Sequence, residues 1–289
     1  MSLTAFAPAK VNLLLHVGPP GADGFHPLVS LAAFADVGDR LSLIEGAAPG
    51  LTVGGRLAGD APAGLDNLAL RAVTDLAAAL GRPQDLAIRL DKELPMAAGL
   101  GGGSADAAAA LRLAARAWGV ALDDPRLIAV AQVLGSDVPM CLVSRPVWGE
   151  GRGEVLSMAD WLAPLHAVLV NPGVASPTGP VYRAYDADPR PLDPRPEPPE
   201  DRSFGAVIDW LHAQRNDLEP PAVRLAPAIE AAVAAVRADP DVALARMSGS
   251  GATVFGLCAG AEDASAAARR LARPGWWVRA CVLGTPGGT

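Results

Sequence analysis

The stretch Leu94-Pro95-Met96-Ala97-Ala98-Gly99-Leu100-Gly101-Gly102-Gly103-Ser104-Ala105-Asp106 strips side chains from a turn and then runs directly into an alanine-rich segment. Glycines let backbone N–H groups approach an anion closely, and the unpaired N–H groups of a following helix favour negative charge at the same spot. The spelling therefore predicts a phosphate cradle at the head of a helix that opens at Ser104 and ends at Gly119. A flexible hinge before a helix is the other reading of this segment alone. Ser104 is either an N-cap or a hydroxyl turned toward the ligand. Asp106 introduces a tension, because a carboxylate suits the first turn of a helix but repels phosphate at close range. It is tolerated if it points away or if a cation lies between.

Composition limits what such a cradle can serve. The chain has 289 residues, enough for two domains and a substantial core. Its formal net charge of −7 argues against a nucleic-acid partner, so positive charge must be focused in one place to hold a small anion. Cys141, Cys258 and Cys281 are odd in number and far apart, which fits neither a disulfide framework nor zinc spacing; a reducing, cytoplasmic setting is expected. No apolar run reaches membrane-spanning length, and no membrane partner is expected. Of 24 basic residues only Lys10 and Lys92 are lysine. In a chain so biased toward arginine, a lysine is a candidate for work that suits a compact point charge. Lys92 is equally readable as a leftover surface residue.

Outward from the glycine turn, Val11–Val17, Arg40–Ile44 and Leu86–Leu90 read as strands, being short, apolar or alternating, and bounded by Gly, Pro or Asp. A helix is expected from Leu68 through Leu80, introduced by Asp66-Asn67 and stopped by Gly81. The chain starts again near Gly153, with a strand at His166–Val170 running into Asn171-Pro172-Gly173, which divides it into domains 1–152 and 153–289. Ala184–Arg202 is dense in proline and charge and is expected to be a mobile surface loop. Beyond it come a helix over Pro227–Ala238, a turn over Met247–Thr253, a strand over Val254–Cys258, a helix over Glu262–Leu271 and a strand over Trp277–Leu283.

Two familiar nucleotide motifs are excluded by spelling. A P-loop needs a lysine after its last glycine, and neither glycine turn has one; a dinucleotide fingerprint fails because Ser104 and Val254 stand where its third small residue belongs. What remains is a proline-led loop before a long helix. Taken alone, Asp137 between Gly135-Ser136 and Val138-Pro139 reads as a turn-capping residue.

The ordered set Ala7-Pro8-Ala9-Lys10-Val11-Asn12-Leu13, Asp23-Gly24-Phe25-His26, Asp66-Asn67-Leu68, the glycine loop, Leu134-Gly135-Ser136-Asp137-Val138-Pro139, Asn171-Pro172-Gly173, Asn216-Asp217-Leu218-Glu219 and Ser248-Gly249-Ser250-Gly251-Ala252 spans nearly the whole chain. It resembles the family of galactokinase, homoserine kinase, mevalonate kinase and phosphomevalonate kinase, the GHMP kinases. The resemblance implies an α+β, two-domain fold. An N-terminal ribosomal-protein-S5-domain-2-like α/β domain would carry ATP binding and catalysis, and a C-terminal ferredoxin-like domain would lie on the substrate side, with the active site in the cleft between them. It also implies ATP as co-substrate with Mg2+, and a cytidine-diphosphate-linked methylerythritol of the non-mevalonate isoprenoid pathway as the small-molecule acceptor.

Residue by residue, Lys10 and Asp137 match the family's catalytic pair, the aspartate taking the acceptor's hydroxyl proton and the lysine easing charge on the reacting oxygens. Pro95, Met96, Ala97, Ala98, Gly99, Leu100, Gly101, Gly102, Gly103, Ser104 and Ala105 match the ATP-binding loop. Asn67 touches the adenine nucleotide or caps the helix after it. Asn12, on the same strand face as Lys10, and the pair Phe25 and His26 match the substrate site, Phe25 stacking on the base and His26 hydrogen-bonding it. Ser248–Ala252 presents amides toward the cleft or is a hairpin turn. Two departures stand out: Phe25 replaces a frequent tyrosine, and Ala105 a frequent serine. No dedicated metal cage is visible, as suits magnesium held through nucleotide phosphates. The competing readings are another small-alcohol kinase of the family, which binding of a cytidine nucleotide without ATP would disfavour, and a silent nucleotide-binding protein, against which the joint presence of Lys10 and Asp137 counts.

Overall fold

The computed structural model describes residues 3–59 and 61–285. The long antiparallel pair β1 (Thr4–Val17) and β2 (Leu28–Leu43) opens the chain, followed by β3 (Gly50–Gly54), α1 (Leu68–Ala79), β4 (Ala87–Asp91), α2 (Gly102–Trp118), α3 (Pro125–Leu134), α4 (Val138–Val143) and the hairpin of β5 (Val147–Gly151) with β6 (Val155–Met158). The second half contains β7 (Leu165–Asn171), α5 (Thr178–Tyr185), α6 (Phe204–His212), α7 (Glu219–Leu225), α8 (Ala228–Arg237), β8 (Leu244–Met247), β9 (Val254–Cys258), α9 (Ala261–Leu271) and β10 (Trp277–Gly284).

These strands join in one sheet along the path β3-β4-β2-β10-β7-β9-β8, with β1 and β5 also on β2 and β6 on β5. β3 and β4 are parallel because α1 carries the chain back between them; the other strand pairs are antiparallel. β10 meets β2 only at Leu283 opposite Ala35 and Gly284 opposite Phe34. Two half-sheets therefore meet at a narrow seam, each with its own helices and apolar cluster, and a further apolar cluster drawn from β1 and β2 and from the strands of the second half joins them.

Helix α2 is the axis of the first half. Alanine is the best helix former, and its small side chain lets a helix pack closely on every side. The run from Ala105 to Ala115 is accordingly buried throughout, against α1, α4, β1 and β2. Arg112 falls inside this run, and its guanidinium donates to the carbonyls of Phe6 at 2.7 Å and Cys141 at 2.9 Å, so the buried charge is hydrogen-bonded.

Several expectations change here. Helix α2 begins at Gly102, not at Ser104, with Gly101 as its N-cap in the left-handed region. β1 and β2 extend well beyond the predicted Val11–Val17 and Arg40–Ile44, because their outer residues alternate poorly yet are buried by neighbouring elements. The 152/153 boundary falls in the turn of the β5–β6 hairpin, where Glu150 pairs with Val155. The proline-rich stretch is not a free loop. Arg195 lies over the Trp148 ring at 4.5 Å, and Trp210 donates its indole N–H to the Glu197 carbonyl at 2.7 Å, strapping the segment to α6 and β5.

Candidate active site

Lys10 lies on β1 beside a register shift in its pairing with β2. Its ammonium reaches Asp137 Oδ1 at 2.7 Å, the lysine side chain being 5 % exposed and the carboxylate 40 %. Asp137 precedes α4 and makes no side-chain cap hydrogen bond, so the capping role that its local sequence suggests is not the one it has. Both residues line a cavity of about 830 Å³ between the halves of the molecule, to which Asn12 and Gly101 of the first half and Tyr182 and Ser250 of the second also contribute.

The glycine loop is held by its oxygens. The carbonyl of Ala97 accepts from Ser176 N–H at 3.1 Å, Ala98 from Thr253 N–H at 3.0 Å, Gly99 from the Ser248 hydroxyl at 2.9 Å and Leu100 from Lys10 N–H at 2.8 Å. The Gly101 carbonyl takes the N–H of Ala105. With the oxygens turned into the protein, the N–H groups of Gly101, Gly102, Gly103 and Ser104 have no acceptor among the described residues, and all four residues line the cavity. They form the unpaired N-terminus of a long helix, the arrangement that binds phosphate. Glycine is required at two points. A Cβ on Gly99, at φ +72°, would run into the Ser248 carbonyl, and one on Gly101, at φ +62°, would come within 3.2 Å of Lys10 Cβ.

Beneath the loop is a buried cluster of charge. Lys92 Nζ pairs with Asp39 and, at 2.7 Å, with Asp106 Oδ2; Asp39 also accepts the N–H groups of Glu93 and Leu94. The arrangement corrects the surface reading of Lys92 and answers the tension at Asp106, one oxygen of which is neutralised from below. The other, Oδ1, is buried with no partner among the described residues. Burial pushes the Asp106 carboxyl up to about 7 against the attraction of Lys92. Burial also pulls the Lys92 ammonium down, but the two carboxylates outweigh it and hold its pKa above the ordinary value.

At the other end of the cavity, Phe25 is 55 % exposed and His26 donates its Nε2–H to Asp186 Oδ1 at 2.6 Å. The His26 ring lies 4.8 Å from that of Tyr182, whose phenol is pushed up to about 12 by burial, with the charge of Asp137 adding to the effect. Asn12 donates its amide to the Ser30 hydroxyl at 2.7 Å. Asn67 caps α1, accepting from Ala69 N–H at 3.0 Å and donating to the Pro62 carbonyl at 2.8 Å, at the cavity's edge. The second glycine turn mainly braces the first. Ser248 and Thr253 donate to it as described, and Asn216 Nδ2 holds the turn through the carbonyls of Met247 and Gly249, each at 2.8 Å.

The structure thus brings together every predicted site residue except Leu100 and Ala105, which are buried behind the loop. Asp39 and Tyr182 were missed. Asp39 and Tyr182 have no local signal, whereas the lysine scarcity that marked Lys10 also marked Lys92.

The GHMP kinases N terminal domain model matches residues 67–145, and the GHMP kinases C terminal model matches residues 200–275. A 4-diphosphocytidyl-2-C-methyl-D-erythritol kinase of Caulobacter sp. (strain K31) is 52 % identical over 99 % of this chain and 100 % of its own length. One of Dinoroseobacter shibae (strain DSM 16493 / NCIMB 14021 / DFL 12) is 49 % identical over 97 % of this chain and 95 % of its own. A crystal structure of 4-(cytidine 5'-diphospho)-2C-methyl-D-erythritol kinase superposes with a TM-score of 0.79 at 38 % identity, covering 98 % of this chain and 99 % of that one. Among the described residues, no helix is long and apolar enough to cross a membrane.

Proposed function

The chain belongs to the GHMP kinase family, with a two-domain α+β fold and a cleft between the domains, and from that premise we propose that the cavity transfers the γ-phosphoryl group of ATP to the 2-hydroxyl of 4-diphosphocytidyl-2-C-methyl-D-erythritol, in the non-mevalonate isoprenoid precursor pathway. One observation carries the reading: a loop whose carbonyls are pinned and whose amides are free lies against the Lys10–Asp137 pair.

Phosphoryl transfer through a loose transition state asks for placement and charge stabilisation more than for covalent chemistry. The loop from Pro95 to Ala105 receives the ATP phosphates, with the free amides of Gly101 to Ser104 as donors and Asn67 at the edge on the nucleotide side. Asp137 accepts the acceptor's hydroxyl proton as that oxygen bonds to the γ-phosphorus and the bond to the β-phosphate oxygen breaks, releasing ADP. Lys10 fixes the carboxylate and lends positive charge to the reacting oxygens.

Among the described residues no three His, Cys, Asp or Glu side chains converge on a metal position. The unpartnered Asp106 Oδ1 and the Ser104 hydroxyl in the cavity lining nevertheless fit a magnesium ion bound chiefly by phosphates, and they would hold it. When bound, it neutralises phosphate charge. Phe25 stacks on the cytosine, His26 hydrogen-bonds it while Asp186 fixes the imidazole, and Asn12 binds the erythritol end. The absent serine at position 105 matters little in this reading, because Ala105 is wholly buried in α2.

In the second half, the order β10-β7-β9-β8 with helices between strands supports a ferredoxin-like domain, and the first half is read as S5-domain-2-like. Three buried free cysteines support a reducing cytosol as its place. Phosphorus NMR of the protein with magnesium, ATP and the cytidyl acceptor tests the function. A new phosphomonoester resonance growing with ADP is expected; ADP without that resonance means hydrolysis or another acceptor.

A further inference from the structure

Phe25 is a large apolar ring left more than half exposed at the mouth of the cavity, and something must hold it in place there. The guanidinium of Arg152 lies over the ring, 4.3 Å from its centre. Arg152 is in turn ion-paired with Asp23 Oδ2, while Asp23 Oδ1 accepts the backbone N–H of Phe25 at 3.0 Å. One carboxylate therefore fixes both the backbone of Phe25 and the cation on its face. Arg152 also occupies the turn between β5 and β6, and a Cβ added at the next residue, Gly153, would lie 3.7 Å from Ser136 Cβ, beside the catalytic Asp137.

We infer that Arg152 is a positioning residue for the acceptor: with Asp23 it clamps one face of the Phe25 ring by a cation–π contact and leaves the opposite face as the platform for the cytosine. The inference rests on the acceptor proposed above. It also gives this chain a substitute for the missing phenolic hydroxyl at position 25, since the ring is held through its face and not through a hydroxyl at its edge. A cation over one face of an aromatic ring at an exposed site is worth a factor of about two to five in binding. The effect must appear in recognition of the acceptor and nowhere else.

The test is a double-mutant cycle of Arg152→Ala and Phe25→Leu, with Arg152→Lys as the conservative variant, followed by steady-state kinetics with ATP and the cytidyl acceptor. Arg152→Ala is expected to raise KM for the acceptor about two- to fivefold while leaving KM for ATP and kcat in place. Arg152→Lys, which keeps the cation, is expected to restore most of that loss. In the Phe25→Leu background, Arg152→Ala is expected to add nothing. An acceptor KM that stays the same or falls in Arg152→Ala overturns the inference, a fall meaning that the guanidinium occupies the base's own place. Additive losses in the cycle overturn it as well, because Arg152 would then act on the acceptor without the ring. Wild-type protein that does not turn over the acceptor at all would instead overturn the proposed function, so the two failures are distinct.

Discussion

Asp106 is the residue at which the requirements of the fold and of the site collide. Its carboxyl is buried, shares Lys92 with Asp39, and is pushed up to about 7 by that burial. An acid whose pKa is higher in the folded chain than its unfolded value of about 4 holds its proton in the folded state between those two values. Folding then takes up a proton, so this residue's contribution to stability is complete below about pH 4 and declines as pH rises through about 7, by at most ~1.4 kcal/mol per pH unit. Urea unfolding of wild type and Asp106→Asn at pH 5 and pH 8 checks the sign: the stability of wild type relative to the variant should be lower at pH 8, and an unchanged difference would contradict it. The charge cluster itself was only half legible in the sequence. Lysine scarcity marked Lys92, but Asp39 lies 53 positions away and its burial is set by tertiary packing that no local window contains.

At the scale of elements, the glycine turn was read correctly as the head of a helix and misread as to where that helix starts. Ser104 has the chemistry of an N-cap, yet the helix begins two residues earlier because Gly101 adopts the left-handed conformation that turns the chain into it. Two of the helix's free amides thereby fall at Gly102 and Gly103, where no side chain obstructs a ligand. Strand ends were lost for a different reason: residues such as Ser30 and Asp39 break the apolar pattern of β2, and their partners are distant in sequence. Gly101→Ala addresses the cradle directly. The added Cβ would sit 3.2 Å from Lys10 Cβ and 3.3 Å from its Cε, on a backbone at φ +62°. Left-handed strain of about 1–2 kcal/mol in stability and a kcat lowered about 10- to 100-fold by displacement of Lys10 are expected, read by thermal unfolding and by kinetics. Wild-type kcat in a folded variant would mean that the loop and the lysine are not mechanically joined.

Across the whole molecule, the site is assembled from segments that are far apart in the chain. Lys10 comes from the first strand, Asp137 from the start of α4, and the donors that pin the loop's carbonyls from Ser176, Ser248 and Thr253 in the second half. The second half therefore shapes the phosphate cradle as well as closing the cavity. Composition and periodicity could not have joined Lys10 to Asp137; the ordered motifs of the family resemblance did, and the two side chains lie 2.7 Å apart. The most direct test of the account separates binding from transfer in Asp137→Asn, by measuring phosphoryl transfer to the cytidyl acceptor and ATP affinity on the same preparation. The account predicts turnover reduced by about 10²–10⁴ with ATP affinity unchanged, since the amide cradle is intact and only the proton acceptor is gone. Turnover near the wild-type rate in that variant would contradict it.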